Sequence, residues 1–212
     1  MLKKILTLLV LTPLLTLPAA ASDPAADAQA FVRDGIDQGI AILKQTEPDD
    51  PARTARFRTF VADIIDTRSV ALFALGHYRK STDPQTLAAY IDSFTAYATA
   101  SYESRLGLYG GQTISVTEAI VNTDTDVLVS GEIQNAQGKQ LADVAFRVLT
   151  TPRGPQLFDV RIAGIWLAVE QRSQFGSYIA QNGGDVQALI EFLNEESARL
   201  RSGDTTTVAA EG

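Results

Sequence analysis

The hydrophobic period of the chain changes from helical to alternating at Gly110-Gly111, and no other feature constrains the fold as strongly. Between residues 84 and 107, apolar residues recur every three or four positions. From residue 114 to residue 162, apolar and polar residues alternate instead. A period near 3.6 indicates helices that bury one face, whereas a period of two indicates half-buried strands. The sequence therefore predicts an α+β fold in which most of the helices precede the sheet.

Several helix starts follow from local signals alone. Asp50 and Asp83 can each cap a helix, and each is followed by a proline, which suits the first helical turn. Thr67 is expected to cap a short helix between them. Towards the C-terminus, the pattern predicts a helix over residues 169–180 and a final helix capped by Asp185.

The alternating part of the chain falls into runs that are separated by turn-forming residues. These runs predict antiparallel strands around residues 114–120, 127–133, 144–148 and 158–162. One face of such a sheet is apolar and must be covered, and the amphipathic helices are the available cover. We expect a helical layer packed over one face of a twisted antiparallel sheet of about four strands.

The first residues have the pattern of a secretory signal peptide. Lys3 and Lys4 precede an apolar run over residues 5–17, and three alanines follow at 19–21. The run is too short for a membrane anchor, which needs roughly 20 apolar residues. The expected location is therefore the periplasm. The predicted parts of the chain are a signal peptide over 1–21, one domain over 22–201 and a flexible tail over 202–212.

The composition argues against several kinds of chemistry. The chain has no cysteine, one histidine and a formal net charge of −7. Thiolate nucleophiles are therefore excluded, and His77 is expected in a turn rather than beside a nucleophile. The acidic charge disfavours nucleic acid, whose phosphates require a basic surface. We expect no enzymatic activity, no cofactor, no metal site and no nucleic-acid partner.

Basic residues are concentrated in one part of this acidic chain. Arg53, Arg56 and Arg58 lie on the predicted helix that follows Asp50, and Arg79 and Lys80 follow the short helix at Thr67. A solvated helix face is the simpler interpretation, and a contact patch for a partner is the alternative.

Apolar and aromatic residues are the remaining candidates for a functional site. Periodicity does not distinguish a filled core from a lined cavity, and an ordinary core is the simpler interpretation of the pattern. The candidates are Phe73, Phe94, Tyr97, Tyr102 and Tyr109 on the helical side, and Val144, Phe146, Phe158 and Trp166 on the sheet side.

Two blocks of short motifs occur in order along the chain. The first contains LGHY at 75–78 and GQT at 111–113, and the second contains FDVRIAGI at 158–165 and RSQF at 172–175. Together they resemble the MlaC family of periplasmic phospholipid-binding proteins, the auxiliary component of toluene-tolerance ABC transporters. The resemblance extends over roughly residues 27–200.

The chain departs from the family pattern at a few positions. The family usually has an acidic residue where Ala163 stands, a small polar residue where Trp166 stands, and a Trp-Lys pair near Gln156-Leu157. These changes leave open a carrier of hopanoid or of another lipid. They do not alter the predicted order of helices and strands.

The resemblance implies a monomeric carrier with a deep apolar pocket for acyl chains between the helices and the sheet. The implied partners are phospholipid, an inner-membrane ABC transporter with a substrate-binding ring, and an outer-membrane lipoprotein–porin complex, between which lipid is shuttled. A periplasmic adaptor module without a ligand is the alternative. The residues predicted to bind lipid are the nine candidates above together with Val127, Val129, Val148 and Val160.

Overall fold

A computed structural model describes residues 23–47 and 50–202, and the helices of this part precede and follow a single sheet. None of these helices is long and apolar enough to cross a membrane. The predicted signal peptide, and the predicted tail beyond Ser202, lie outside the described residues. The helices are α1 (Pro24–Gln45), α2 (Pro51–Ile64), α3 (Thr67–Ala74), α4 (Pro84–Glu103), α5 (Leu167–Gln181) and α6 (Val186–Arg201), with short 3-10 helices at Gly76–Lys80 and Leu106–Leu108.

The capping aspartates set the helix starts, as the sequence predicts for α2 and α4. The Asp50 carboxylate accepts the Ala52 N–H at 2.8 Å, and the Asp83 carboxylate accepts the Gln85 N–H at 2.9 Å. The predicted cap of α3 is wrong by one residue. Asp66, rather than Thr67, caps this helix, because its carboxylate reaches the N–H of Ser69 at 3.2 Å.

The strands form an antiparallel meander in which each strand pairs with its neighbours in the chain. The α+β class and the antiparallel sheet are therefore confirmed. The sheet has one strand more than the predicted four. Ile165 and Trp166, which follow the turn at the end of β4, pair with β4 and form this additional strand. The strands, in sheet order, are β1 (Thr113–Thr123), β2 (Asp126–Gln134), β3 (Gln140–Thr151), β4 (Gly154–Ile162) and β5 (Ile165–Trp166).

The first hydrophobic core lies between α1 and one face of the sheet. Val127 on β2 stands opposite Val148 on β3, so both side chains point to the same face. These residues and Val129 are buried against Ala28 and Val32 of α1. The apolar face of the sheet is thus covered by a helix, as the alternating pattern predicts.

The second hydrophobic core lies among α3, α4, α5 and α6. Tyr90 and Phe94 of α4 pack edge-on against Phe175 of α5, and Leu189 of α6 is fully buried with them. The buried Tyr90 hydroxyl donates a hydrogen bond to the Ala71 carbonyl oxygen at 3.0 Å. These helices therefore bury most of their apolar surface against one another rather than against the sheet.

Candidate functional site

A cavity of about 310 Å³ lies between α1, α2 and the covered face of the sheet. This volume is at the lower end of the roughly 300–1,000 Å³ that ligand pockets enclose. Its wall consists of Phe31, Val32, Gly35, Ile36, Gly39, Ile40 and Leu43 from α1, Phe57, Phe60 and Ile64 from α2, Tyr109 and Gln112 from the α4–β1 connection, and Ile114, Ile133, Phe146 and Leu157 from the sheet.

The α1 wall contains two glycines one turn apart, Gly35 and Gly39. A Cβ atom at Gly35 would meet nothing within 4 Å, whereas one at Gly39 would meet the Phe60 ring at 3.4 Å. Glycine in a helix interior costs roughly 1 kcal/mol relative to alanine. These glycines interrupt the apolar stripe of α1, and the structure places the interruption at the cavity.

The α2 wall is aromatic. The rings of Phe57 and Phe60 lie 5.8 Å apart between centroids and are tilted by 53°. Ile64 follows one turn later on the same face of the helix, which is the face that periodicity predicts to be buried. That face is turned towards the cavity and not towards a filled core.

Of the described residues that line the cavity, two have polar side chains, Tyr109 and Gln112. The Gln112 Oε1 atom accepts the Gly110 N–H at 2.7 Å, which holds this side chain against the turn. The Tyr109 hydroxyl is buried and finds no hydrogen-bond partner within residues 23–47 and 50–202. A buried hydroxyl without a partner costs about 1–3 kcal/mol.

Arg53 on α2 contacts the segment that precedes Tyr109. It is 3% exposed, and its Nη2 atom donates a hydrogen bond to the Leu106 carbonyl oxygen at 3.0 Å. Its Nε atom is buried and has no acceptor in the described part of the chain. Burial of a guanidinium group with so few acceptors is costly and calls for a structural or binding role.

The burial of Arg53 also changes the interpretation of the basic residues on α2. A solvated face that includes Arg53 is wrong, because this side chain turns inwards to Leu106. Arg58 forms an ion pair with Glu103 at 2.7 Å. Arg56 remains exposed.

Two of the residues predicted to bind lipid, Tyr109 and Phe146, lie in the cavity wall. Val127, Val129 and Val148 lie on the same face of the sheet, packed beneath α1. Val144 is buried on that face too, and Val160, opposite Phe146, is half-buried.

The other predicted residues lie away from the cavity wall. Phe94 belongs to the second core, with Tyr97 packed against it, and Tyr102 is 38% exposed. Phe73 and Phe158 contact each other edge-on, with ring centroids 5.4 Å apart.

Trp166 lies in a second, more polar depression of about 260 Å³. This depression also contains Arg147 and Asp159, and the Arg161 guanidinium stands 5.3 Å from the Trp166 ring centroid. The pKa of Asp159 is raised by burial, while the N–H groups of Ala168 and Val160 donate to its carboxylate.

The sequence-based prediction misses most of the cavity wall, and ten of the fourteen missed residues come from α1 and α2. They include Phe31, Ile36, Ile40, Phe57 and Phe60. A signal for them exists in the sequence, because Gly35 and Gly39 interrupt the apolar residues of the α1 segment one helical turn apart.

A solved structure is similar to this chain over most of its length. It is described as the phospholipid-binding protein from Ralstonia solanacearum, in complex with a phospholipid, at 1.53 Å resolution. The two chains are 26% identical, with a TM-score of 0.72, and the match covers 82% of this chain and 99% of that one. No curated protein sequence matches the chain significantly.

The model of one protein family, described as MlaC protein, matches residues 33–195. The match spans α1 to α6, and it includes the helices and strands that form the cavity. The chain therefore belongs to the MlaC family.

Proposed function

We propose that this protein is a periplasmic lipid carrier that binds the acyl chains of a glycerophospholipid between α1, α2 and the sheet. The observation that carries the proposal is the cavity wall, in which fourteen of the sixteen lining residues are glycine or purely hydrocarbon side chains. A wall of this kind offers acyl chains a site and offers water almost no hydrogen bonds. The similar solved structure contains a phospholipid, which supports the same class of ligand.

The size of the cavity suggests how a lipid is accommodated. A volume of about 310 Å³ leaves little room for a ligand with two long chains. We infer that α1 moves outwards when a diacyl lipid enters, because α1 covers the cavity and contains Gly35 and Gly39. Ile40 and Leu43, near the end of α1, line the cavity and are only half-buried.

The energetics favour transfer by contact rather than through water. Each buried methylene contributes about 0.8 kcal/mol, so the release of two long chains into water is too slow to be useful. The lipid must leave the cavity while the protein is docked on a membrane complex that favours the open state. The proposed partners are an inner-membrane ABC transporter with a substrate-binding ring and an outer-membrane lipoprotein–porin complex.

The proposed location follows from family membership and from the N-terminal pattern. The charged and apolar residues before residue 22 fit a cleaved signal peptide, and a carrier between two membranes must act in the periplasm. N-terminal sequencing of the protein purified from the periplasm tests this directly, with a mature chain that begins at or near Ser22 as the expected result.

The carrier function is tested by purification without detergent, followed by native mass spectrometry and organic extraction. We expect one glycerophospholipid for each folded chain. A bound hopanoid in place of the phospholipid would support the carrier function and identify a different lipid as the ligand. Folded protein without stoichiometric lipid, and unable to take up lipid from vesicles, would favour the ligand-free adaptor instead.

A further inference from the structure

The two polar side chains of the cavity wall lie on one short segment. Tyr109 and Gln112 flank the Gly110-Gly111 turn between the Leu106–Leu108 3-10 helix and β1. We refer to Tyr109 and Gln112 together as the polar end of the cavity. Gly111 has a φ of +88°, a backbone conformation that other residues rarely adopt, and it packs close to Ala136 on the β2–β3 turn. A larger residue at Gly111 would therefore be both strained and crowded.

The polar end contains a hydrogen-bond donor without an acceptor. The Tyr109 hydroxyl is buried, and no acceptor for it lies in the described residues. Buried tyrosine hydroxyls almost always find a partner, and an exception requires an explanation. The rest of the cavity wall, apart from Gln112, is hydrocarbon or glycine and offers this hydroxyl no acceptor side chain.

Arg53 reinforces the same segment from behind. Its hydrogen bond to the Leu106 carbonyl oxygen fixes the backbone three residues before Tyr109. Arg53 precedes Phe57 by one helical turn of α2, but Arg53 itself is not part of the cavity wall. Its buried Nε–H lacks an acceptor within the described ranges. Within the wall, the Tyr109 hydroxyl is therefore the donor that lacks an acceptor, and Arg53 holds the backbone that precedes it.

We propose that the Tyr109 hydroxyl donates a hydrogen bond to an acceptor oxygen where the acyl chains of a bound glycerophospholipid join its glycerol-phosphate group. Acyl methylenes offer no acceptor, whereas ester carbonyl and phosphate oxygens do. The polar end therefore sets the depth of the lipid, with the chains towards α1 and the glycerol towards Tyr109. Arg53 acts as a positioning residue for this segment. The inference rests on the proposed carrier function.

The test compares Tyr109→Phe with the parent protein and with Tyr178→Phe as a matched control. Tyr178 packs against Phe192 beside the second core and lies outside the cavity wall, so its hydroxyl has no expected contact with lipid. Each delipidated protein is titrated with a diester phosphatidylglycerol and with the diether analogue that has the same chains and headgroup. Thermal melting of the delipidated proteins checks that each variant folds.

We expect Tyr109→Phe to lower the affinity for the diester lipid roughly three- to tenfold, the effect of one lost hydrogen bond, with Tyr178→Phe unchanged. A loss confined to the diester lipid identifies the ester carbonyl as the acceptor, and an equal loss for both lipids identifies the phosphate.

Unchanged affinity for both lipids in a folded Tyr109→Phe variant would overturn the inference and leave the carrier function intact. A parent protein that binds neither lipid would instead refute the carrier function, and this inference with it. The two failures are therefore distinguishable.

Discussion

Arg53 on α2 donates a hydrogen bond to the carbonyl oxygen of Leu106, 53 residues later in the chain, at a distance of 3.0 Å. This bond joins one wall of the cavity to the segment that contains Tyr109. The contact is buried, so water does not replace it easily.

The first prediction concerns this link. Arg53→Met retains the apolar stem of the side chain but leaves the Leu106 carbonyl oxygen without its donor. We expect amide hydrogen exchange to accelerate over residues 106–112, because the segment loses its attachment to α2. Arg58→Met, which removes an ion pair on an exposed part of the same helix, is the control. Equal protection of residues 106–112 in both variants and in the parent would contradict the positioning role.

The second prediction concerns the volume of the cavity. Gly35→Leu places a side chain in the space next to α1, where a Cβ atom meets nothing within 4 Å. We expect the lipid bound per folded chain to fall to half or less, because the leucine occupies volume that acyl chains need. The measurement is organic extraction with quantification of phosphate.

Gly176→Leu is the matched control for this prediction. Gly176 is also inside a helix, is also half-buried and also has nothing within 4 Å of an added Cβ, but it lies outside the cavity wall. Both substitutions relieve the cost of a helical glycine. Equal lipid content in the two variants would count against a lipid site beside α1.

The third prediction concerns the ion pair between Arg147 and Asp126. Hydrogen bonds from the Arg147 guanidinium lower the pKa of Asp126 below its ordinary value of 3.8. A carboxyl group whose pKa is lower in the folded state stabilises the protein at pH values above its unfolded-state pKa. This stabilisation is lost as the pH falls through the folded-state pKa.

Asp126→Asn should therefore lower the free energy of unfolding near pH 6, by about 1 kcal/mol or less since the pair is partly exposed. The difference from the parent should shrink as the pH falls towards 3, in urea titrations at low salt. Asp124→Asn, at an exposed position in the adjacent turn, serves as the control. A difference that is constant with pH would rule out the ion pair as its source.

The fourth prediction concerns the approach of β1 to β2. A Cβ atom on Gly131 would lie 2.6 Å from the Ser115 carbonyl oxygen, so alanine at this position requires the backbone to shift. We expect Gly131→Ala to reduce the free energy of unfolding by about 1–3 kcal/mol, as overpacking does. Gly176→Ala should leave stability unchanged or raise it. Chemical denaturation measures the free energy of unfolding of both variants. An unchanged free energy of unfolding in Gly131→Ala would contradict the expectation, because it would mean that β1 and β2 move apart at little cost.

The parts of the fold that sequence predicts best depend on local chemistry. Asp50 and Asp83 start helices where expected, because a capping carboxylate acts within three residues of itself. The change of period at Gly110-Gly111 locates the start of the sheet, because alternation reflects one buried face. The error at α3 is also local, since Asp66 competes with Thr67 for the same N–H groups.

The cavity could not be predicted in the same way. Periodicity correctly places Phe57 and Phe60 on one face of α2. It does not show whether the element that faces them packs against their rings or leaves a cavity. The long helix α4 offered the most aromatic residues, and its Phe94 packs in the second core instead. Which helix covers the sheet depends on contacts distant in sequence, and Ile65 beside Leu157 is one of them.

The two hydrophobic cores of the described chain share no residue. The side chains of Tyr90, Phe175 and Leu189 interlock among the helices and have no part in the cavity wall. In the proposed carrier, outward displacement of α1 would break contacts with the sheet and would leave the packing among α3 to α6 in place. Loaded and empty molecules would then differ mainly in the position of α1 over the strands. A partner that distinguishes loaded from empty protein would therefore have to contact α1.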